Sequence, residues 1–132
     1  MQGRSRTVAS QPRSEAAPAA DVPSLVHQVT PGPELLEAAS ATLRMMAEPT
    51  RLHLLWQLSQ GPKTVTELTA AVGVPRTVAS QHLAKLRLSG LVDNRKDGRH
   101  VIYSLHDGHL VRLILETINH ADHKLTGEPT HE

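Results

Sequence analysis

Four residues near the C-terminus offer this chain its most specific chemistry: Asp107, His109, His120 and His123. One carboxylate and three imidazoles form a ligand set that zinc takes in tetrahedral sites. Their spacing decides how such a site can form. The stretch reads as one helix, in which His109 and His120 lie about 16 Å apart along the axis. A zinc ion requires each ligand at about 2 Å. The same spacing returns the two histidines to nearly the same face, and His123 follows about one turn after His120. One end of the helix therefore offers Asp107 and His109, and the other offers His120 and His123. A second copy running antiparallel completes two equivalent sites across a symmetric dimer. The plainer reading is structural: Asp107 is suited to cap the helix through its carboxylate, and helices near a chain end often carry exposed histidines. On these residues alone the two readings stand level.

The chain has 132 residues, suited to one domain with flexible ends, and a net charge of +1 at pH 7. It contains no cysteine and no phenylalanine, and Trp56 and Tyr103 are its aromatic residues. The first absence excludes disulfides, thiolate metal sites and cysteine nucleophiles, so a metal must meet nitrogen and oxygen ligands. The second leaves the core to Leu, Val, Ile and Ala, as in small helical domains. Neither a secretory signal nor a bilayer-spanning apolar run is visible, which sets a cytoplasmic expectation. Charge is unevenly placed. Between residues 76 and 100, Arg76, Lys85, Arg87, Arg95, Lys96 and Arg99 stand against Asp93 and Asp97. From 107 onward, Arg112 and Lys124 stand against Asp107, Glu116, Asp122, Glu128 and Glu132. The positive middle points to nucleic acid.

The elements that must position these groups follow from periodicity and punctuation. Residues 1–33, rich in Ala, Ser, Pro and Arg, read as a disordered tail. Glu34 to Ala47 repeats Leu35, Leu36, Ala38, Ala39, Leu43 and Met46 at helical spacing. Glu48-Pro49-Thr50 breaks that helix, and Thr50 is expected to cap a second one, Arg51 to Ser59, with Leu52, Leu55, Trp56 and Leu58 facing inward. Thr64 suits the N-cap of a short helix through Val72, with Glu67 completing a capping box. Gly73-Val74-Pro75 turns into a helix from Arg76 to Leu88, which makes a helix-turn-helix. Its stripe Ala79, His82, Leu83 and Leu86 is expected to pack on the body. That leaves Arg76, Thr77, Ser80, Gln81 and Lys85 for DNA. Two β-prone runs, Leu91–Lys96 and His100–Leu105, join around Asp97-Gly98 as a hairpin, a wing with Arg95, Lys96 and Arg99 at its tip. The last helix runs from Asp107 to about Leu125, packing through Leu110, Leu113, Ile114, Thr117, Ile118 and Ala121. The domain spans 34–125, and 126–132 reads as a flexible end. The fold expected is mainly α with a small β-hairpin, a winged helix-turn-helix.

A helix-turn-helix lays its second helix in the major groove. Ser80 and Gln81 suit base edges, and Arg76 suits a guanine or a phosphate. The wing cations grip the backbone, which positions the protein without reading sequence.

Glu48-Pro-Thr-Arg-Leu-His-Leu-Leu55 resembles the "DPTRLxIL" opening of the ArsR/SmtB metalloregulators. Val78-Ala-Ser-Gln-His-Leu-Ala-Lys-Leu86 is similar to their "VSQHLxxL" recognition helix, and Gly90-Leu-Val92 with Gly98-Arg-His-Val-Ile-Tyr-Ser-Leu105 resembles their strand and wing. The resemblance covers residues 34 to 125. It implies a homodimer joined through the first and last helices, bound to an inverted-repeat operator as a repressor and released by an inducer metal. It implies no enzyme. The family's thiolate site falls where this chain has Val65-Thr66-Glu67-Leu68, which argues against arsenic, cadmium or lead sensing. The family's last-helix pattern, D-x-H-x10-H-x2-[HE], is met by Asp107, His109, His120 and His123 without a gap. The resemblance therefore implies a zinc-responsive repressor. The alternative is a nickel- or cobalt-responsive relative that recruits further ligands from the chain ends, where His27 and His131 lie. A zinc hydrolase is disfavoured, because four protein ligands leave no open position for water and no HExxH is present.

Overall fold

The computed structural model describes residues 29–127. Of the tail expected over 1–33, residues 1–28 lie outside the described residues, as do the end beyond 127, His27 and His131, and Pro33 already belongs to the first helix. The chain divides into two units, 1–36 and 37–132, with the division inside the first helix. In the first unit, helix α1 (Pro33–Met46) opens with its proline, whose fixed φ suits a first turn, and Leu36 N–H donates to the Gly32 carbonyl.

The second unit carries the remainder of α1, then α2 (Pro49–Ser59), β1 (Lys63–Thr64), α3 (Val65–Val72), α4 (Arg76–Leu88), β2 (Val92–Asp97), β3 (His100–Leu105) and α5 (Gly108–Thr126). The three strands form an antiparallel sheet in the order β1-β3-β2. Its core is aliphatic, as the composition requires. Leu54, Leu55, Leu68, Leu83, Leu86 and Ile114 are completely buried, with Leu91, Val92 and Tyr103 at the sheet side.

Several expectations are corrected. The cap of α2 is Glu48, not Thr50: Glu48 accepts from the Arg51 N–H at 2.7 Å and Pro49 begins the helix. The inward residue of α2 is Leu54 rather than Leu52. This helix is covered on two sides, so Leu54, Leu55 and Leu58 face the core, while Leu52 and Trp56 turn toward α5. Strand β1 is unforeseen; it is two residues long and exists through its pairing with Tyr103 and Ile102. Helix α5 extends through Thr126 to a left-handed cap at Gly127 (φ 71°), a conformation glycine adopts without steric cost. The α3 capping box forms as its sequence indicates, Thr64 and Glu67 exchanging bonds of 2.8 and 3.1 Å. The Thr64 backbone N–H at its carboxylate holds the Glu67 carboxyl below the usual carboxylate range.

Candidate functional site

The candidate DNA-reading face lies on α4. Its buried stripe of Ala79, Leu83 and Leu86 fixes one side of the helix to the core. That leaves Arg76, Thr77, Ser80, Gln81 and Lys85 exposed on the other. The Gly73 turn (φ 78°) reverses the chain between α3 and α4. Arg76 is more constrained than its sequence position indicates: its Nη1 donates to Thr66 Oγ1 of α3 at 3.2 Å. His82 faces the body with that stripe, as expected, but through a polar contact. It is half-buried and bonded to Arg51 of α2 at 3.5 Å.

The wing forms, but its cations are distributed differently from the expected cluster at the tip. Arg95 and Lys96 are strand residues of β2, paired with Ile102 and Val101, and Arg99 alone of the three lies in the turn. Successive strand residues point to opposite faces, so Arg95 and Lys96 address different sides of the hairpin. All three are exposed.

Helix α5 carries the four metal-ligand candidates at its two ends. Asp107 is the N-cap and accepts from the Leu110 N–H at 3.0 Å. The structural role weighed against ligation is therefore real. The capping bond engages Oδ1, and an ionised carboxylate has a second oxygen for a further partner. His109 sits exposed in the first turn. His120 is exposed near the other end, and His123 is half-buried in the last turn. Among the described residues, no group of three or more His, Cys, Asp or Glu comes together within the chain. The four candidates therefore stay divided between the two ends of the helix.

The residues that sequence reasoning missed lie at the elbow between α1 and α2. Glu48 and Arg51 meet His82 there, and no local pattern links positions 31 residues apart.

This architecture defines a winged helix-turn-helix, a class of DNA-binding regulators. Residues 48–94 match the arsR family of bacterial regulatory proteins. The transcriptional regulator KmtR of Mycobacterium tuberculosis is 41% identical over 88 residues, which are 67% of this chain and 68% of that protein. The transcriptional repressor SmtB of the same species is 40% identical over 91 residues, 69% and 67% of the two chains. Among solved structures, HlyU from Vibrio cholerae superposes with a TM-score of 0.63 and 30% identity, covering 74% of this chain and all of that one. A homodimeric winged helix-turn-helix DNA-binding domain from Mycobacterium bovis, a possible ArsR-family regulator, gives 0.66 and 26% identity over 89% of this chain. The chain belongs to the ArsR family of bacterial transcriptional regulators. It is a DNA-binding regulator rather than an enzyme, and no helix among the described residues is long and apolar enough to cross a membrane.

Proposed function

We propose that this chain is a zinc-responsive transcriptional repressor, acting in the cytoplasm where its DNA lies. The metal-free homodimer binds an inverted-repeat operator through two copies of α4 and the wing. Asp107 and His109 of one protomer, with His120 and His123 of the other, would hold the ion at each of two equivalent sites. A bound ion ties the two α5 helices together, which disfavours the spacing of recognition helices that fits the operator. Linkage then requires DNA to weaken metal binding by the factor by which metal weakens DNA binding.

The observation carrying this reading is the division of the ligand set between the ends of a 19-residue helix. Support for the dimer comes from apolar surface that the chain itself leaves uncovered. Ile114 is the one buried residue of α5, and Leu43 and Leu125 are 54% and 87% exposed. An open apolar cleft of about 370 Å³ lies between α2 and α5, lined by Pro49, Leu52, His53 and Trp56 of α2 and by Ile118 of α5. A second copy is a fitting cover for such surface.

The test is a fluorescence-anisotropy titration onto the DNA upstream of the protein's own coding sequence, at fixed salt, with chelator, zinc or nickel. Tight metal-free binding that zinc abolishes is expected. Release by nickel alone would replace the ion, and binding indifferent to every metal would remove the sensor.

A further inference from the structure

The recognition helix meets its domain through two kinds of contact. The buried stripe of Ala79, Leu83 and Leu86 sets its depth and the face it turns to the core, but apolar packing is non-directional and defines the fine roll less sharply. Directional contacts are made at its start by Arg76, whose Nη1 reaches Thr66 Oγ1 of α3, and at mid-helix by His82, whose side chain is 19% exposed and faces α2. Its Nδ1 faces Arg51 Nη1 at 3.5 Å, and its Nε2 faces Glu48 Oε1 at 4.0 Å. Arginine only donates. Nδ1 can accept from it when the ring proton is on Nε2, the side that faces the carboxylate.

Arg51 is itself held at two further points. Its Nε donates to the Met45 carbonyl in the last turn of α1 at 2.6 Å, and its backbone N–H donates to Glu48 Oε1 at 2.7 Å. The guanidinium is a rigid planar fork, so fixing Nε restricts where Nη1 can point. One residue thus ties the end of α1 and the Glu48 elbow to α4.

We propose that Arg51 and His82 form a positioning joint for DNA reading, which sets the roll of α4 about its own axis. The proposal rests on the DNA-reading role of that helix. His82 follows Gln81 directly, about 100° around the helix, so anchoring it fixes the bearing of Ser80 and Gln81. A roll of roughly 20° moves a side-chain tip some 5 Å from the axis by about 2 Å. A base-edge hydrogen bond does not survive that displacement. Contacts of long Lys and Arg side chains with phosphates do. The joint therefore governs sequence-specific affinity and leaves non-specific affinity alone.

The experiment uses the full chain, a duplex that the wild-type protein enriches from a random-sequence pool, and a scrambled duplex of the same length. The variants are His82→Leu, His82→Asn, Arg51→Met and the Arg51→Met/His82→Leu pair. Each is titrated at fixed salt, and its melting temperature is recorded. His82→Leu and Arg51→Met should each lose about tenfold or more on the enriched duplex, the scale of one hydrogen bond to a charged group. Affinity for the scrambled duplex should change less than twofold. The double variant should lose no more than the worse single variant. His82→Asn retains an acceptor in place of Nδ1 and should recover most of the loss. If Arg51→Met is unfolded at the assay temperature, the two His82 variants decide. Unchanged affinity for the enriched duplex would overturn the joint. So would equal losses on both duplexes with a lowered melting temperature, the mark of a merely structural contact. A wild-type chain that enriches no sequence would overturn the DNA reading beneath it as well.

Discussion

Asp107 has an observed role and a proposed one, which one pair of substitutions separates. Its carboxylate caps α5 through the Leu110 N–H at 3.0 Å, and by the function proposed above it is also a metal ligand. Asparagine is as good an N-cap as aspartate, whereas alanine forfeits the capping bond at about 1 kcal/mol. For a unit covering residues 37–132, that cost lowers the melting temperature by roughly 4–8 °C. Metal-free Asp107→Asn should therefore melt close to the wild type, and metal-free Asp107→Ala several degrees lower. Zinc at a hundred times its dissociation constant adds about 2.7 kcal/mol per site to the folded state, a gain larger than the cap. Both variants should forgo most of that gain, because neither retains a carboxylate. Differential scanning calorimetry with chelator and with zinc reads all six states. If metal-free Asp107→Asn melted as low as Asp107→Ala, the capping account would fail. If zinc raised both variants as far as the wild type, Asp107 would not be a ligand.

Two further outcomes follow from the structure. Removing the exposed wing cation in Lys96→Ala should reduce the slope of log affinity against log salt by about one while leaving base preference intact, measured by titrating DNA at several salt concentrations. The Glu67 carboxyl is held below its ordinary range by the Thr64 backbone N–H, so it stabilises the fold above the unfolded-state carboxyl pKa. That contribution is lost as pH falls through the lower folded-state value. Melting temperatures taken from neutral pH downward should show an acid-side decline in the wild type that is shallower in Glu67→Gln.

Local chemistry made much of this fold legible. The Thr64/Glu67 capping box, the Gly73-Val74-Pro75 turn and the bounds of α4 follow from residues adjacent in sequence, and the structure forms all of them. The wing strands fall within a residue of their expected limits because Gly98 marks the hairpin turn. Tertiary context decided what was missed. Strand β1 has no periodicity of its own at two residues, and only its partners on β3 make it a strand. Glu48 is an unusual cap that works because Pro49 starts α2 behind it. Leu52 and Leu54 exchange roles because α2 is covered from two directions, which a single amphipathic stripe does not anticipate. The candidate site divides in the same way. Each ligand could be assigned to its end of α5 by counting, while the Arg51–His82 contact spans two helices and leaves no mark on either segment alone.

Thr64 is at once the last residue of β1, paired with Ile102 of the wing strand, and the N-cap of α3. One residue therefore fastens the hairpin to the first helix of the helix-turn-helix. The two grips on DNA proposed for this chain, one in the groove and one along the backbone, are then not modules joined by a tether. When α4 docks, the wing has little independent freedom left to surrender, so its phosphate contacts carry a small ordering cost. By that reading the wing is a strut braced against α3, placed before any DNA arrives.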